Sequence, residues 1–223
     1  MKIGCPAEVK DNENRVGLTP NAVRAYVAAG HKVYIQKGAG LGSAVADEEY
    51  TAAGATILPT ANDVWAEAEM IVKVKEPMPE EYSRMKENQL LYTYFHFAAD
   101  KPLTDACMQR KIIALAYETV EEGKSLPLLK PMSEVAGRMA PLMGAFYLAK
   151  TQGGRGLLPM GVTGVPPAEV LVIGGGVVGT NAASVAAGLG ASVTILDVSL
   201  DRLEYLGAVM AANVAPLFSD EVT

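Results

Sequence analysis

The sequence predicts an α/β protein of two doubly wound parallel-sheet domains, spanning 1–130 and 131–223. Three observations carry this reading. Through the first 127 residues, short apolar runs alternate with amphipathic stretches of helical length, the pattern of βαβ units around a parallel sheet. Breakers then gather at Gly123, Ser125, Pro127 and Pro131, as expected of a boundary. Beyond it, the run AEVLVIGGGVVG at 168–179 passes from an apolar strand through glycines into a helical pattern.

In order, the first domain offers strands at 2–7, 32–36, 56–58, 70–74, 90–96 and 112–116. Helical patterns lie between them at 20–29, 47–53, 61–68, 80–86 and 104–110. Thr19-Pro20 and Thr60 through Asp63 read as helix starts, because Ser/Thr side chains cap free N–H groups and Pro suits the first turn. Gly30 and Gly54 read as stops. Past the breakers, a long helix at 132–150 leads into the second domain. There a strand at 170–173, a helix at 180–189, a strand at 192–196, a helix at 200–210 and a strand at 214–218 follow. Only the first half of a six-strand nucleotide domain is therefore expected.

Composition narrows the function classes. Of 223 residues, half are hydrophobic and a fifth charged, with a formal net charge of -6. That balance argues against nucleic acid and offers no basic surface to a membrane. Cys5 and Cys107 are the only cysteines. They form no metal-ligand spacing, so no metal is expected, and they fit a reducing cytoplasm. The uncharged stretch 170–196 is long enough to span a bilayer. Its glycines, with Thr180, Asn181 and Ser184, make strand, turn and helix the better reading.

The glycine run carries the most specific chemistry. Gly174-x-Gly176-x-x-Gly179 sits between a strand and a helix, and a second strand ends at Asp197. This is the setting of a Rossmann dinucleotide-binding turn. Gly174 allows the tight turn, Gly176 lets backbone approach a pyrophosphate, and Gly179 lets helix and strand pack closely. The free N–H groups of the helix start favour phosphate. Asp197 can accept hydrogen bonds from a ribose diol and repels a 2′-phosphate, so NAD is expected over NADP.

Other candidates are less specific alone. Arg15 follows the first strand and could grip a carboxylate bidentately. Lys75 closes the strand at 70–74 and could touch a carboxylate or polarise a carbonyl. It could equally be a snorkelling strand-end lysine. His96, in YTYFHFAAD at 92–100, is flanked by Phe95 and Phe97. The residues alone leave two readings, a hydrogen-bonded core histidine or a proton-transfer group near neutral pH.

Several stretches together resemble one family. NENRVGLTP around Arg15, IVKVKEP at 71–77, YTYFHFAAD, AYETVE at 116–121, LPLLKPMSEVAGRMA at 126–140 and VIGGGVVG at 172–179 resemble alanine dehydrogenase in order and spacing. Transhydrogenase NAD-binding components and saccharopine dehydrogenases share the fold; His96 fits alanine dehydrogenase better than transhydrogenase. The resemblance implies reversible oxidative deamination of L-alanine to pyruvate and ammonia with NAD, by a cytoplasmic homo-oligomer, commonly a hexamer. It implies substrate binding by Arg15 and Lys75 and acid–base chemistry at His96. It implies cofactor contacts from Ser133, Gly174, Gly176, Val177, Val178, Gly179, Asp197 and Arg202. The family's catalytic aspartate is expected beyond residue 223. Two other functions remain open, a transhydrogenase component and a non-catalytic nucleotide-binding or assembly module.

Overall fold

The computed structural model describes residues 1–123 and 125–220. The chain forms two compact units, Met1–Leu126 and Pro127–Thr223. The breaker segment expected at 121–131 falls at the junction; its Lys124, like the final residues 221–223, lies outside the described residues.

The first unit holds β1 (Lys2–Cys5), α1 (Pro20–Ala28), β2 (Lys32–Gln36), α2 (Asp47–Ala52), β3 (Thr56–Leu58), α3 (Ala61–Glu67), β4 (Met70–Lys75), β5 (Leu90–Tyr94), α4 (Lys101–Arg110) and β6 (Ile113–Ala116). Its six strands run in the order β3-β2-β1-β4-β5-β6, all pairs parallel. The order reverses between β1 and β4, the switch point where open parallel sheets bind ligands at their carboxyl ends.

Strand alternation builds a core on each face. Ile3 and Cys5 of β1, Ile35 of β2 and Val72 of β4 pack with Val23 of α1 and Tyr50 of α2. Ile71 of β4 and Leu91 of β5 pack on the other side with Val64 and Trp65 of α3 and Leu103 of α4. Gly4 is the small residue between β1 and α3, for a Cβ there would lie 2.7 Å from that of Ala68.

The helix signals operate as their chemistry requires. Thr19 caps α1 by accepting the Ala22 N–H at 3.3 Å. Thr60 and Asp63 exchange hydrogen bonds at 3.2 and 3.1 Å in a reciprocal cap of α3; such a cap contributes about 1 kcal/mol. Gly30 and Gly54 end their helices with positive φ. One expected helix, at 80–86, is instead a 3₁₀ segment, Pro79–Arg84. Its Glu81 turns fully inward, which ties the segment to the sheet and cuts the helix short.

The second unit opens with α5 (Lys130–Leu148), followed by β7 (Glu169–Ile173), α6 (Val177–Gly188), β8 (Ser192–Asp197), α7 (Leu200–Val209) and β9 (Val214–Phe218). Its three parallel strands lie in the order β7-β8-β9, one mononucleotide half of a Rossmann sheet. Ala183, Ala186 and Ala187 of α6 pack on Val172, Val193 and Ile195. The uncharged stretch 170–196 is thus strand, helix and strand. Among the described residues, no helix is long and apolar enough to cross a membrane, and no group of three His, Cys, Asp or Glu could hold a metal.

Candidate functional site

The first unit gathers its candidates at the carboxyl ends of adjacent strands. Arg15 lies in the loop after β1, Lys75 ends β4, and His96 follows β5. Lys75 stands opposite Tyr94 in the β4–β5 register. The Arg15 charge acts on the Tyr94 hydroxyl, whose pKa burial raises.

Arg15 presents its side chain at the surface, held fork-on-fork by Glu13. Its Nε donates to Glu13 Oε1 at 2.8 Å and Nη2 to Oε2 at 2.6 Å. This bond, ahead of the Coulomb attraction, holds the Glu13 carboxyl below its usual range and raises the guanidinium. Arg15 is therefore already posed as a bidentate carboxylate binder, with an internal carboxylate in the fork.

His96 lies outside the core. The strand ends at Tyr94 rather than at 96, and His96 takes the left-handed conformation, φ 54 and ψ 37. Phe95 is fully buried and stacks on Phe97 with ring centroids 4.4 Å apart. The turned backbone leaves His96 exposed, its ring stacked at 6.3 Å from that of Tyr94 rather than packed in the Phe95–Phe97 pair. Glu118 holds this corner. Its Oε1 accepts the N–H groups of His96 at 2.7 Å and Phe95 at 3.1 Å. A non-glycine residue in this conformation costs of order 1–3 kcal/mol and needs such support.

In the second unit the glycine turn has the form its chemistry demands. Gly174 has φ +94, and a Cβ on Gly179 would lie 1.8 Å from the Gly174 carbonyl oxygen. A Cβ on Gly176 would meet nothing within 4 Å, so the space beside it suits a phosphate. Val177 and Val178 open α6, where free N–H groups point outward. Asp197 Oδ2 accepts the Gly175 N–H at 2.6 Å and Oδ1 the Ser199 N–H at 2.9 Å. These backbone bonds, that to Ser199 first, lower its pKa.

Arg202 braces the turn, its Nε donating to the Gly175 carbonyl at 2.5 Å and Nη2 to Thr180 Oγ1 at 2.7 Å. Ser133 lies one turn before Gly137 on the same face of α5. A Cβ on Gly137 would lie 2.3 Å from the Val178 carbonyl oxygen, so α5 and α6 touch backbone to backbone beside the glycine turn. The residues present fit a dinucleotide's adenosine and pyrophosphate portion.

Sequence reasoning passed over the supporting carboxylates Glu8, Glu13, Glu81 and Glu118. Glu13, two residues from Arg15, and Glu118 lie inside stretches already singled out, NENRVGLTP and AYETVE, but neither spacing reveals what the carboxylate holds. Glu8 and Glu118 act across 66 and 22 residues of chain, a distance no periodicity reports.

The fold and the glycine turn together define a two-unit α/β protein with a dinucleotide-type half-site. The alanine dehydrogenase/PNT N-terminal domain model matches residues 4–136 and the corresponding C-terminal domain model matches 140–223. The chain belongs to the alanine dehydrogenase/PNT family. It is 58% identical over 221 residues to an alanine dehydrogenase of Methanococcus maripaludis, covering 99% of this chain and 59% of that protein. With the Bacillus subtilis alanine dehydrogenase it shares 51% over 222 residues, 100% and 58% of the two chains. A solved L-alanine dehydrogenase superposes with TM-score 0.92 at 51% identity, over 100% of this chain and 62% of that one. A transhydrogenase from Sinorhizobium meliloti superposes with TM-score 0.79 at 26% identity, over 100% and 63%. The chain thus spans about three-fifths of the length of these relatives.

Proposed function

We propose that this chain carries the substrate site and the adenosine–pyrophosphate half-site of an NAD-dependent L-alanine dehydrogenase, converting L-alanine reversibly to pyruvate and ammonia. The observation that supports it most is the convergence of Arg15, Lys75 and His96 at the carboxyl ends of β1, β4 and β5, around the switch point. Cytoplasmic location and a homo-oligomeric, hexameric state belong to the same reading.

In this reading Arg15 and Lys75 hold the substrate carboxylate, so a substrate either displaces Glu13 from the guanidinium fork or shares it. Lys75 also polarises the keto oxygen in the amination direction. His96 takes and returns the proton at the oxygen that arrives or departs as water adds to the imine. NAD, when bound, supplies the hydride acceptor. Gly176, with the α6 N–H groups, receives its pyrophosphate. Asp197, braced by Ser199 and Gly175, faces its ribose diol, with Arg202 and Ser133 beside the turn. A transhydrogenase component has weaker support, 26% identity against 51%. A non-catalytic nucleotide-binding module shares the half-site and predicts no affinity for a 2-keto acid.

Calorimetric titration of this chain separates the readings. Binding of both NAD and pyruvate is the expected result. NAD binding without pyruvate binding supports the non-catalytic module, and binding of neither removes the proposal.

A further inference from the structure

The strand segment IVKVKEP holds two lysines that alternation places on one side of β4, yet they have opposite fates. Lys75 is half-buried at the strand end. Lys73 is buried, its Nζ 3.2 Å from Glu8 Oε2 and 3.0 Å from Glu81 Oε1, and all three side chains are at most 2% exposed. Each carboxylate also holds backbone. Glu8 Oε1 accepts the Val74 N–H at 2.6 Å, and Glu8 Oε2 faces the Lys75 N–H at 3.4 Å. Glu81 Oε2 accepts the Met78 N–H at 3.0 Å.

These contacts fall where the β4–β5 ladder loses register, between Val72 and Lys75. Such an irregularity re-aims a side chain and leaves backbone groups in need of partners. Segment 74–78, which carries Lys75, is therefore pinned at both ends by carboxylates sharing one buried ammonium. A buried ion group contributes little net stability, because desolvation offsets the attraction. Its geometric consequence is the larger one.

We propose that Glu8, Lys73 and Glu81 form a positioning triad that fixes Lys75 for a carboxylate-bearing substrate. The inference rests on the substrate role of Lys75 proposed above. Lys73 touches no substrate; it locks two carboxylates that hold the bulged backbone. Glu8 is the informative member. Its Oε1 bond to Val74 needs only an oxygen, which Gln keeps and Ala does not, while its Oε2 faces the Lys73 ammonium, where the NH2 of Gln cannot serve.

The test compares the whole chain with Glu8→Gln, Glu8→Ala, Lys75→Met and the Glu8→Ala/Lys75→Met pair. Amide hydrogen exchange and pyruvate titration are measured on each. Glu8→Ala should lose protection at Val74 and Lys75 while the β2 amides keep theirs. Its pyruvate affinity should fall roughly tenfold to a hundredfold, as for a sub-ångström to ångström misplacement. Glu8→Gln, which keeps the Val74 bond and loses the Lys73 pair, should fall between Glu8→Ala and the unmutated chain on both measurements. In the paired variant Glu8→Ala should add little to Lys75→Met, since it acts through that lysine.

Full additivity, or unchanged affinity in a folded Glu8→Ala protein, overturns the proposal. If the unmutated chain binds no pyruvate, the substrate reading fails. The exchange data then decide the triad alone, retained protection at Val74 and Lys75 in Glu8→Ala refuting it. Should Glu8→Ala fail to fold, the Gln variant decides, unchanged protection and affinity there overturning the proposal because the Lys73 pair would then position nothing.

Discussion

His96 is turned out of the core by its own backbone, and that turn separates two predictions. A core histidine, once removed, strands a hydrogen-bond partner at about 1–3 kcal/mol. An exposed one does not. His96→Ala should therefore melt within a degree or two of the parent. In an assembly that turns over, it should lower the rate by roughly two to four decades, the range for general acid–base catalysis. Melting and turnover on the same protein check this; a large stability loss with normal specific activity counts against it. Asp197 makes a second residue-scale case. Its oxygens already brace Gly175 and Ser199, so the carboxylate is oriented before a ribose arrives. Asp197→Ala should weaken NAD binding and narrow the preference over NADP, read by paired titrations. An unchanged ratio would mean the diol lies elsewhere. His96 also marks a limit of the sequence. Its chain position was legible, but the left-handed turn and the Glu118 clasp were not, because both depend on a residue 22 positions away.

Elements were far more legible than contacts. The strand at Lys32–Gln36 and the helix start at Pro20 follow directly from period and capping chemistry. The segment at 80–86 did not, because its helical spacing competes with Glu81, drawn inward by Lys73. The β7–α6 turn shows a sequence motif as steric necessity. Gly179→Ala places a methyl 1.8 Å from a carbonyl oxygen, so strand and helix must part. The variant should lose several kcal/mol in the second unit, at the upper end of single substitutions, and with it nucleotide binding. Melting followed by nucleotide titration tests this; a Gly176→Ala control meets no neighbouring atom in the structure and should stay folded.

At the scale of the whole molecule, buried titratable groups set an alkaline limit that matters for any assay run at high pH. Burial pushes the Cys5 thiol from 9.0 up to about 12, Cys107 up to about 11, and the Tyr50 hydroxyl from 10.0 up to about 12. The folded state thus holds protons that the unfolded chain gives up first. Stability from these groups is fully present below about pH 9 and is lost as pH rises through 9 to 12. Thermal melts at pH 8 and pH 11 should show a marked fall, and a flat profile would contradict the burial of Cys5 and Tyr50.

The second unit presents β7 as a sheet edge, with Leu171 60% and Ile173 80% exposed, where a Rossmann sheet adds its fourth strand. The doubled α/β architecture and this half-domain were readable from the glycine turn and the alternating elements. The buried ion triad at β4 was not, because a lysine in an apolar strand looks the same in sequence whether it is sealed or exposed.

The most direct measurement of the proposed function is NADH formation from L-alanine and NAD at moderately alkaline pH. It is followed by absorbance on this chain alone and on the chain mixed with the remaining segment of the Methanococcus maripaludis relative. The complemented sample should form alanine-dependent NADH, abolished by His96→Ala and reversed by pyruvate with ammonium. A complemented sample that binds NAD and pyruvate yet forms no NADH from L-alanine would contradict it.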